Sequence, residues 1–306
     1  IGKKELVGIL ALCVLVFAGL MLLFTFATGR SENYLRVVLE DGWQAEGSVG
    51  EIQFSDGAAG IASLPQGNRG DTMQLTLELP DIGELPFPTL LFETRYCAFE
   101  VYFDGVLVGS YDMGAVGTRA FVGPTWHLIT LPKEYAGGTV TISLYRMENK
   151  AGRMINAPYL GAHADLEAML LNRNFFALGS GFFLVVYGLC FLFLTLLYLG
   201  RVPELRSQLV SSLLCIAVGI ILVTNDHVAF LFMSADGSAV ADYIALYMIL
   251  PLGYLLLDVL RVRHVLPTPV YRGIARVSFL LICLFIALHF ANVIHLNRVL
   301  NFYYLI

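Results

Sequence analysis

Six polar residues beside or within apolar segments are the first candidates for chemistry in this chain: Asp226, His227, Asp242, His289, Asn292 and His295. Such side chains can hold a metal ion, exchange protons or bind a ligand, and they are costly to bury in a membrane. His289 and His295 are six residues apart, about 240° around a helix, so a regular helix cannot direct both towards one ion. We therefore expect interfacial anchoring or helix pairing, with a metal, proton or ligand site as the alternative.

The sequence contains no motif of an established catalytic site. We find no Gly-rich phosphate loop, no Cys/His set with metal-ligand spacing, no GxSxG turn and no convincing pair of carboxylates. We expect no enzyme, no bound metal and no cofactor in this region.

The elements that must position the polar residues follow from hydropathy. One apolar stretch (6–27) precedes about 142 mostly polar residues, and further apolar stretches run to the end of the chain. A helix needs roughly 20 apolar residues to cross a bilayer core. The chain is 57% hydrophobic and 14% charged, with a mean hydropathy of +0.72, whereas soluble domains are about 25% charged. We predict a membrane protein with a water-soluble module between its helices.

We divide the chain into three parts. They are an N-terminal transmembrane anchor helix (1–29), an extracytoplasmic β-sandwich (30–171) and a helical membrane domain (172–306). Four full spans are expected in the last part, at 175–199, 207–226, 240–260 and 277–296, and a fifth begins near Val299.

Basic residues predict the orientation in the membrane. The predicted cytoplasmic segments together hold eight Lys and Arg residues, whereas the outer flanks of the spans hold only Arg173 and Arg298. Because basic residues favour the cytoplasmic side, we place the N-terminus in the cytoplasm and residues 30–171 outside a cell membrane.

The charge of the module limits the ligands it can bind, and its cysteine content excludes an internal disulfide. Residues 30–171 carry nine basic and 18 acidic residues, a net charge of −9, while the rest of the chain is net +4. An acidic module is a poor match for nucleic acid or anionic lipid and suits a neutral or cationic ligand. Cys97 is its only cysteine, so no disulfide can form within it.

Short alternating runs predict that the module is all-β. They lie at 72–79, 90–94, 99–103, 106–111, 127–131 and 139–145, and Asp104-Gly105 between two of them predicts a two-residue hairpin turn. Seven or eight such strands make a β-sandwich.

Four segments of the chain carry a family resemblance: DGW at 41–43, RGDTMQLTLELP at 69–80, FEVYFDGVLVGSY at 99–111 and WHLITLP at 126–132. In this order, and with this hydropathy, they resemble bacterial seven-transmembrane receptors with diverse intracellular signalling modules, particularly members that end in a diguanylate cyclase. The resemblance implies a mixed fold in which a jelly-roll, galactose-binding-like ectodomain is inserted between an anchor helix and a polytopic helical domain. It also implies that further helices and a cytoplasmic output domain follow residue 306.

Carbohydrate-binding jelly rolls hold sugars on an aromatic platform with charged or amide groups beside it. The residues that we place on such a surface are Trp126, Tyr96, Tyr102, Arg119, Asp112 and Arg146. Each has a structural alternative. Trp126 could fill the sandwich core. Tyr102 shares a strand face with Glu100 and is expected to be partly exposed, and Arg119 and Asp112 flank a glycine-rich loop that could simply be solvated.

We therefore expect a membrane receptor whose outer domain binds an extracellular ligand, such as a saccharide or another small neutral molecule, and signals through its helices. The alternative is a structural or assembly protein whose outer domain binds another protein. Apart from the lipid bilayer, a homodimer is the other partner considered, and nucleic acid is not expected.

Overall fold

The computed structural model describes residue 19 and residues 34–49, 52–54, 58–59, 67–149, 154–198, 205–259 and 268–303. These residues form two antiparallel β-sheets followed by α-helices. The predicted anchor helix lies outside the described residues, apart from residue 19. The sheets and apolar helices agree with the predicted mixed architecture at this level.

The strands follow in chain order as β1 (Arg36–Val38), β2 (Trp43–Val49), β3 (Ile52–Phe54), β4 (Ala58–Ala59), β5 (Thr72–Glu78), β6 (Pro88–Thr94), β7 (Cys97–Phe103), β8 (Val106–Tyr111), β9 (Thr125–Thr130), β10 (Thr139–Arg146) and β11 (Tyr159–Ala162). The small sheet has the order β1-β11-β6-β9. The large sheet has the order β3-β2-β5-β10-β7-β8, with β4 paired to β2. The hairpin between β7 and β8 is confirmed, because Asp104 and Gly105 have φ angles of 46° and 79°.

A continuous apolar core lies between the two sheets. It includes Leu90 and Phe92 from the small sheet and Leu75, Phe99 and Ile142 from the large one. Strands β5 and β10 bury every second residue, so the other face of the large sheet is open. Every residue of β6 is buried, because the small sheet is covered by the large sheet on one face and by a helix on the other.

The helices are α1 (His163–Tyr198), α2 (Arg206–Thr224), α3 (Ala235–Val259), α4 (Thr268–Phe290) and α5 (Leu296–Tyr303), and a 3-10 helix at Asn225–Leu231 joins α2 to α3. Within the part of the chain that the structure describes, four segments are long and apolar enough to cross a membrane: His163–Tyr198, Arg206–Leu231, Ala235–Val259 and Pro269–Phe290. Many large apolar side chains of α1 are exposed, including Phe176, Val186 and Phe193. This pattern is consistent with a multi-pass membrane protein.

Several helix boundaries differ from those expected from hydropathy, including the starts of α1, α3 and α4 and the end of α4. Helix α1 begins at His163, twelve residues before the apolar run at 175, because its first turns are amphipathic and pack on the small sheet through Leu166, Met169 and Leu170. Helix α4 ends at Phe290 instead of continuing to 296, and the chain turns at Asn292, where φ is 54°.

Candidate functional site: the junction between the β module and the helices

The small sheet and the loops beside it lie directly on the ends of the helices. Trp126 of β9 is 6% exposed and packs with Leu91 and with Leu166 and Leu170 of α1. Its indole N–H donates a hydrogen bond to the Asp226 carbonyl oxygen, 2.8 Å away. We call the whole contact region the junction; it comprises Glu93, Tyr96, Phe121, Gly123, Trp126 and Glu148 of the module and Asp226, His227, Asp236, Tyr243, His289 and His295 of the helix ends.

The turn between α2 and α3 is held from two sides. The Asp226 carboxylate lies 3.3 Å from the Nε atom of Arg173 on α1. His227 Nε2 lies 3.7 Å from the carboxylate of Glu93 on β6, which is itself buried and paired with Arg95 at 3.0 Å. The turn therefore contacts both a helix and the sheet, and its position depends on both.

A second group of contacts joins the module to the first turns of α3. The backbone N–H of Gly123 donates to the Asp236 carboxylate at 2.7 Å. The hydroxyl groups of Tyr96 and Tyr243 are 2.6 Å apart. Gly123 lies close to α3: a Cβ atom at this position would lie 3.0 Å from the carbonyl oxygen of Ala235 and 3.2 Å from the Cβ of Ala239, so a larger residue here requires a shift of a few tenths of an ångström.

A third group surrounds Glu148, which is fully buried just after β10. Its Oε2 atom accepts from Arg298 Nε at 2.8 Å, and its Oε1 atom lies 3.4 Å from His295 Nε2. His295 Nε2 also lies 2.9 Å from the Arg119 carbonyl oxygen. A carbonyl can only accept, so Nε2 carries the hydrogen. Burial lowers the pKa of His295, and the charge of Glu148 opposes this shift.

The two histidines meet, contrary to the expectation from a regular helix. Their ring centroids are 5.4 Å apart, and each ring also contacts Phe121, at 5.0 Å for His289 and 5.4 Å for His295. The helical-wheel argument fails because α4 ends at Phe290 and the chain reverses before His295. Within the described ranges, no three His, Cys, Asp or Glu residues are arranged to hold a metal ion. The histidines instead join the module to the ends of α4 and α5.

Strained backbone conformations are concentrated in and beside the junction. Seven residues other than glycine have a positive φ in the described part of the chain, and Tyr96, Asp226, His227 and Asn292 are four of them. This conformation is unfavourable for side chains with a Cβ atom and often marks functional sites. Packing and hydrogen bonds between module and helices must hold these residues in place.

The six residues predicted to bind a ligand do not form one surface. Tyr96 and Trp126 are buried in the junction. Arg146 is 2% exposed and donates to the Glu148 and Arg95 carbonyl oxygens at 2.9 and 3.0 Å. Arg119 is exposed and contributes its carbonyl oxygen to His295. Asp112 is exposed, with φ 51°, at the end of β8, and Tyr102 lies on the open face of the large sheet with its hydroxyl donating to Glu100 at 3.0 Å.

Sequence reasoning missed Glu93, Gly123, Glu148 and Asp236. Glu93 carried a usable signal, because it is the one charged residue in the strand PTLLFET. In the sequence, Glu148 resembles an ordinary acidic loop residue and Asp236 an acidic residue at the start of a helix. Their partners lie more than 100 residues away in the chain, so local patterns do not reveal them.

No protein-family model and no curated protein matches the chain. Among solved structures, similarity is found to a beta-glucosidase from Kluyveromyces marxianus in complex with glucose. The identity is 11%, the match covers 44% of this chain and 19% of that chain, and the TM-score is 0.24. A similarity of this size establishes neither fold nor function.

Proposed function

We propose that the chain is a cell-membrane receptor whose outer β module, a jelly roll, binds an extracellular ligand and passes the change through the helices. A cytoplasmic output domain, such as a diguanylate cyclase, would receive the signal. The observation that carries this proposal is the junction, in which buried polar groups of the module form hydrogen bonds and ion pairs with the ends of several helices.

The free energies of the junction contacts are similar in size to those of allosteric coupling. Leaving a buried hydrogen-bonding group without its partner costs about 1–3 kcal/mol. Coupling free energies between two allosteric sites are also about 1–3 kcal/mol. A shift that breaks a single contact such as Trp126 to Asp226 would therefore change the balance between helix arrangements by an amount typical of allosteric coupling. For a ligand to cause that shift, it must bind one arrangement better than the other.

The test uses the whole chain in lipid nanodiscs and a panel of neutral and amino sugars: glucose, galactose, N-acetylglucosamine, glucosamine, cellobiose and lactose. Binding is detected from the thermal midpoint of the module, and hydrogen exchange is measured at 225–231 and 289–298. We expect a sugar that binds to change exchange in both segments, and Trp126→Phe to weaken that change because it removes the hydrogen bond to Asp226.

Two results would count against the receptor. Binding that leaves both helix-end segments unchanged would favour the alternative, a scaffold whose outer domain only attaches to a partner. A panel that produces no binding at all would contradict a receptor for neutral or amino sugars.

A further inference from the structure

The open face of the large sheet carries a row of polar side chains that runs straight across five strands. Its members lie directly opposite one another in the strand register: Glu46 of β2, Gln74 of β5, Ser143 of β10, Glu100 of β7 and Ser110 of β8. All five are exposed or half-exposed. With about 4.8 Å between neighbouring strands, this row spans roughly 19 Å. We call it the polar row.

Two tyrosines flank the polar row on opposite sides. Tyr145 follows Ser143 by two residues on β10, and Tyr102 follows Glu100 by two residues on β7, so both share the open face. Because β7 and β10 are antiparallel, the two rings lie on opposite sides of the row. Both hydroxyls donate to Glu100 Oε2, from Tyr102 at 3.0 Å and from Tyr145 at 3.5 Å. The carboxylate is thereby held in a fixed orientation between two half-exposed aromatic rings.

A groove of about 330 Å³ lies along one end of the polar row. Its walls include Glu46, Gln74, Ser143 and Tyr145, and this volume is within the range of small-molecule sites. Gly47 lies at the edge of the groove, where a Cβ atom would collide with the Thr72 carbonyl oxygen. The absence of a side chain there lets β2 and β5 approach closely.

The charge of this face selects the ligand class. Glu46 and Glu100 point outward from the row, and no outward-facing residue in the described parts of β2, β5, β7 and β10 is Lys or Arg. Anionic ligands are disfavoured by these carboxylates. Carboxylate, amide and hydroxyl groups suit a ligand with many O–H or N–H donors, and tyrosine rings suit one with an apolar face or a positive charge.

We propose that the polar row, together with Tyr102 and Tyr145, is a binding site for a neutral saccharide or an amino sugar. As the ligand site of the proposed receptor, it rests on that function. The site is distinct from the junction, because the junction contacts come from the small sheet and from loops, and none of the polar-row residues is among them.

Binding of glucosamine, N-acetylglucosamine and cellobiose to the whole chain in nanodiscs, measured by calorimetry, tests the site. Galacturonate serves as the anionic comparison. We expect Glu100→Gln and Tyr145→Ala each to weaken binding about 10- to 100-fold, because each removes a hydrogen bond to a charged group or a stacking surface. Galacturonate should bind more weakly than the neutral sugars.

Control variants distinguish the loss of a specific binding group from a general perturbation of the sheet face. Glu78→Gln removes an outward carboxylate on β5 outside the polar row and should leave the affinity unchanged. Tyr145→Phe keeps the ring and should lose less affinity than Tyr145→Ala. If a variant fails to fold, as judged by its thermal midpoint, Gln74→Ala at an exposed position of the row replaces it.

The outcomes also separate this site from the receptor function. Sugar binding that is insensitive to all polar-row variants, or no binding by any probe, would overturn the site and leave an ordinary solvated sheet face. Binding that depends on the row but leaves exchange at 225–231 and 289–298 unchanged would support the site and contradict the receptor. Binding that does not depend on the row but changes exchange at 225–231 and 289–298 would support the receptor and contradict the site.

Discussion

His127 is an ionisable side chain in the core between the two sheets. Its ring contacts Phe92, Phe99 and Tyr111, with centroids 5.5, 4.5 and 4.7 Å away, and its Nε2 atom lies 2.8 Å from Thr94 Oγ1. Burial lowers the pKa of His127 to about 3, well below that of a solvated histidine. The folded module therefore keeps this ring neutral.

The lowered pKa makes the module sensitive to acid. Between about pH 6.5 and pH 3 the unfolded chain binds this proton and the folded chain does not, so stability is full above that window and falls as pH falls through it. We expect a loss of about 2 kcal/mol between pH 7 and pH 5 from this residue. His127→Phe should flatten the dependence, although it costs some stability at pH 7 through the lost Thr94 contact.

Tryptophan fluorescence measures this effect on the module alone, because both tryptophans, Trp43 and Trp126, lie in it. Thr94→Val is the matched control, since it removes the same hydrogen bond but keeps the imidazole, and it should retain the pH dependence. Equal pH slopes for wild type and His127→Phe would show that the ring does not titrate as described.

At the level of elements, helices α1 and α2 cross at two glycines. A Cβ atom at Gly181 would lie 2.7 Å from the Gly219 carbonyl oxygen, and one at Gly219 would lie 2.8 Å from the Gly181 carbonyl oxygen. Small residues allow this approach between membrane helices, where van der Waals packing is a main source of association.

Gly181→Ala should therefore destabilise the helical domain by about 1–3 kcal/mol, because the backbones must separate to admit the methyl group. Gly253→Ala in α3 is the control: nothing lies within 4 Å of the added Cβ. Alanine favours helix over glycine, so this variant should be neutral or stabilising. Thermal unfolding of the chain in nanodiscs, followed by circular dichroism, compares the two, and equal midpoints would contradict the close crossing.

Local sequence patterns predicted individual strands and helices, but they did not predict contacts between residues that are far apart in the chain. The alternation of apolar and polar residues, together with Asp104-Gly105, predicted β5, the β7–β8 hairpin and β10 to within a residue or two. It could do so because the alternation of buried and exposed positions is a local property of each strand. Hydropathy missed the first turns of α1, which are amphipathic and pack on a sheet. Asp258 of α3 pairs with Arg272 Nε of α4 at 2.8 Å, a contact between two helices that local spacing does not predict.

Local sequence patterns were limited in the same way for the polar row and for the junction. The sequence placed Tyr102 beside Glu100 on one strand face, and the hydrogen bond between them confirms that pairing. It could not place Gln74 and Ser143 in the same row, because cross-strand register depends on how distant strands align. The junction was also beyond local reasoning, since Trp126 and Asp226 are separated by 100 residues.

At the scale of the whole molecule, the orientation in the membrane follows from charge. A reporter inserted near Lys150 should be found outside the cell and one near Arg263 inside, because basic residues favour the cytoplasmic connections. Protease protection or an enzymatic topology reporter in intact cells checks this. The reverse pattern would place the module in the cytoplasm and remove the basis for an extracellular ligand.

The central claim is that the junction transmits a change from the module to the helices. Gly123→Cys with Ala239→Cys provides a reversible lock: the Cβ position of residue 123 is 3.2 Å from that of Ala239, and a shift of the Gly123 loop by a few tenths of an ångström brings the pair into the range of about 3.5–4.5 Å that a disulfide needs. Exposed Cys190 and Cys283 are replaced by Ala in this background.

The most direct measurement is hydrogen exchange at 225–231 and 289–298 in the locked chain, with and without a sugar that binds. We predict that the oxidised chain still binds the sugar but shows no change at the helix ends, and that dithiothreitol restores the change. A helix-end response that persists in the oxidised chain would contradict transmission through the junction.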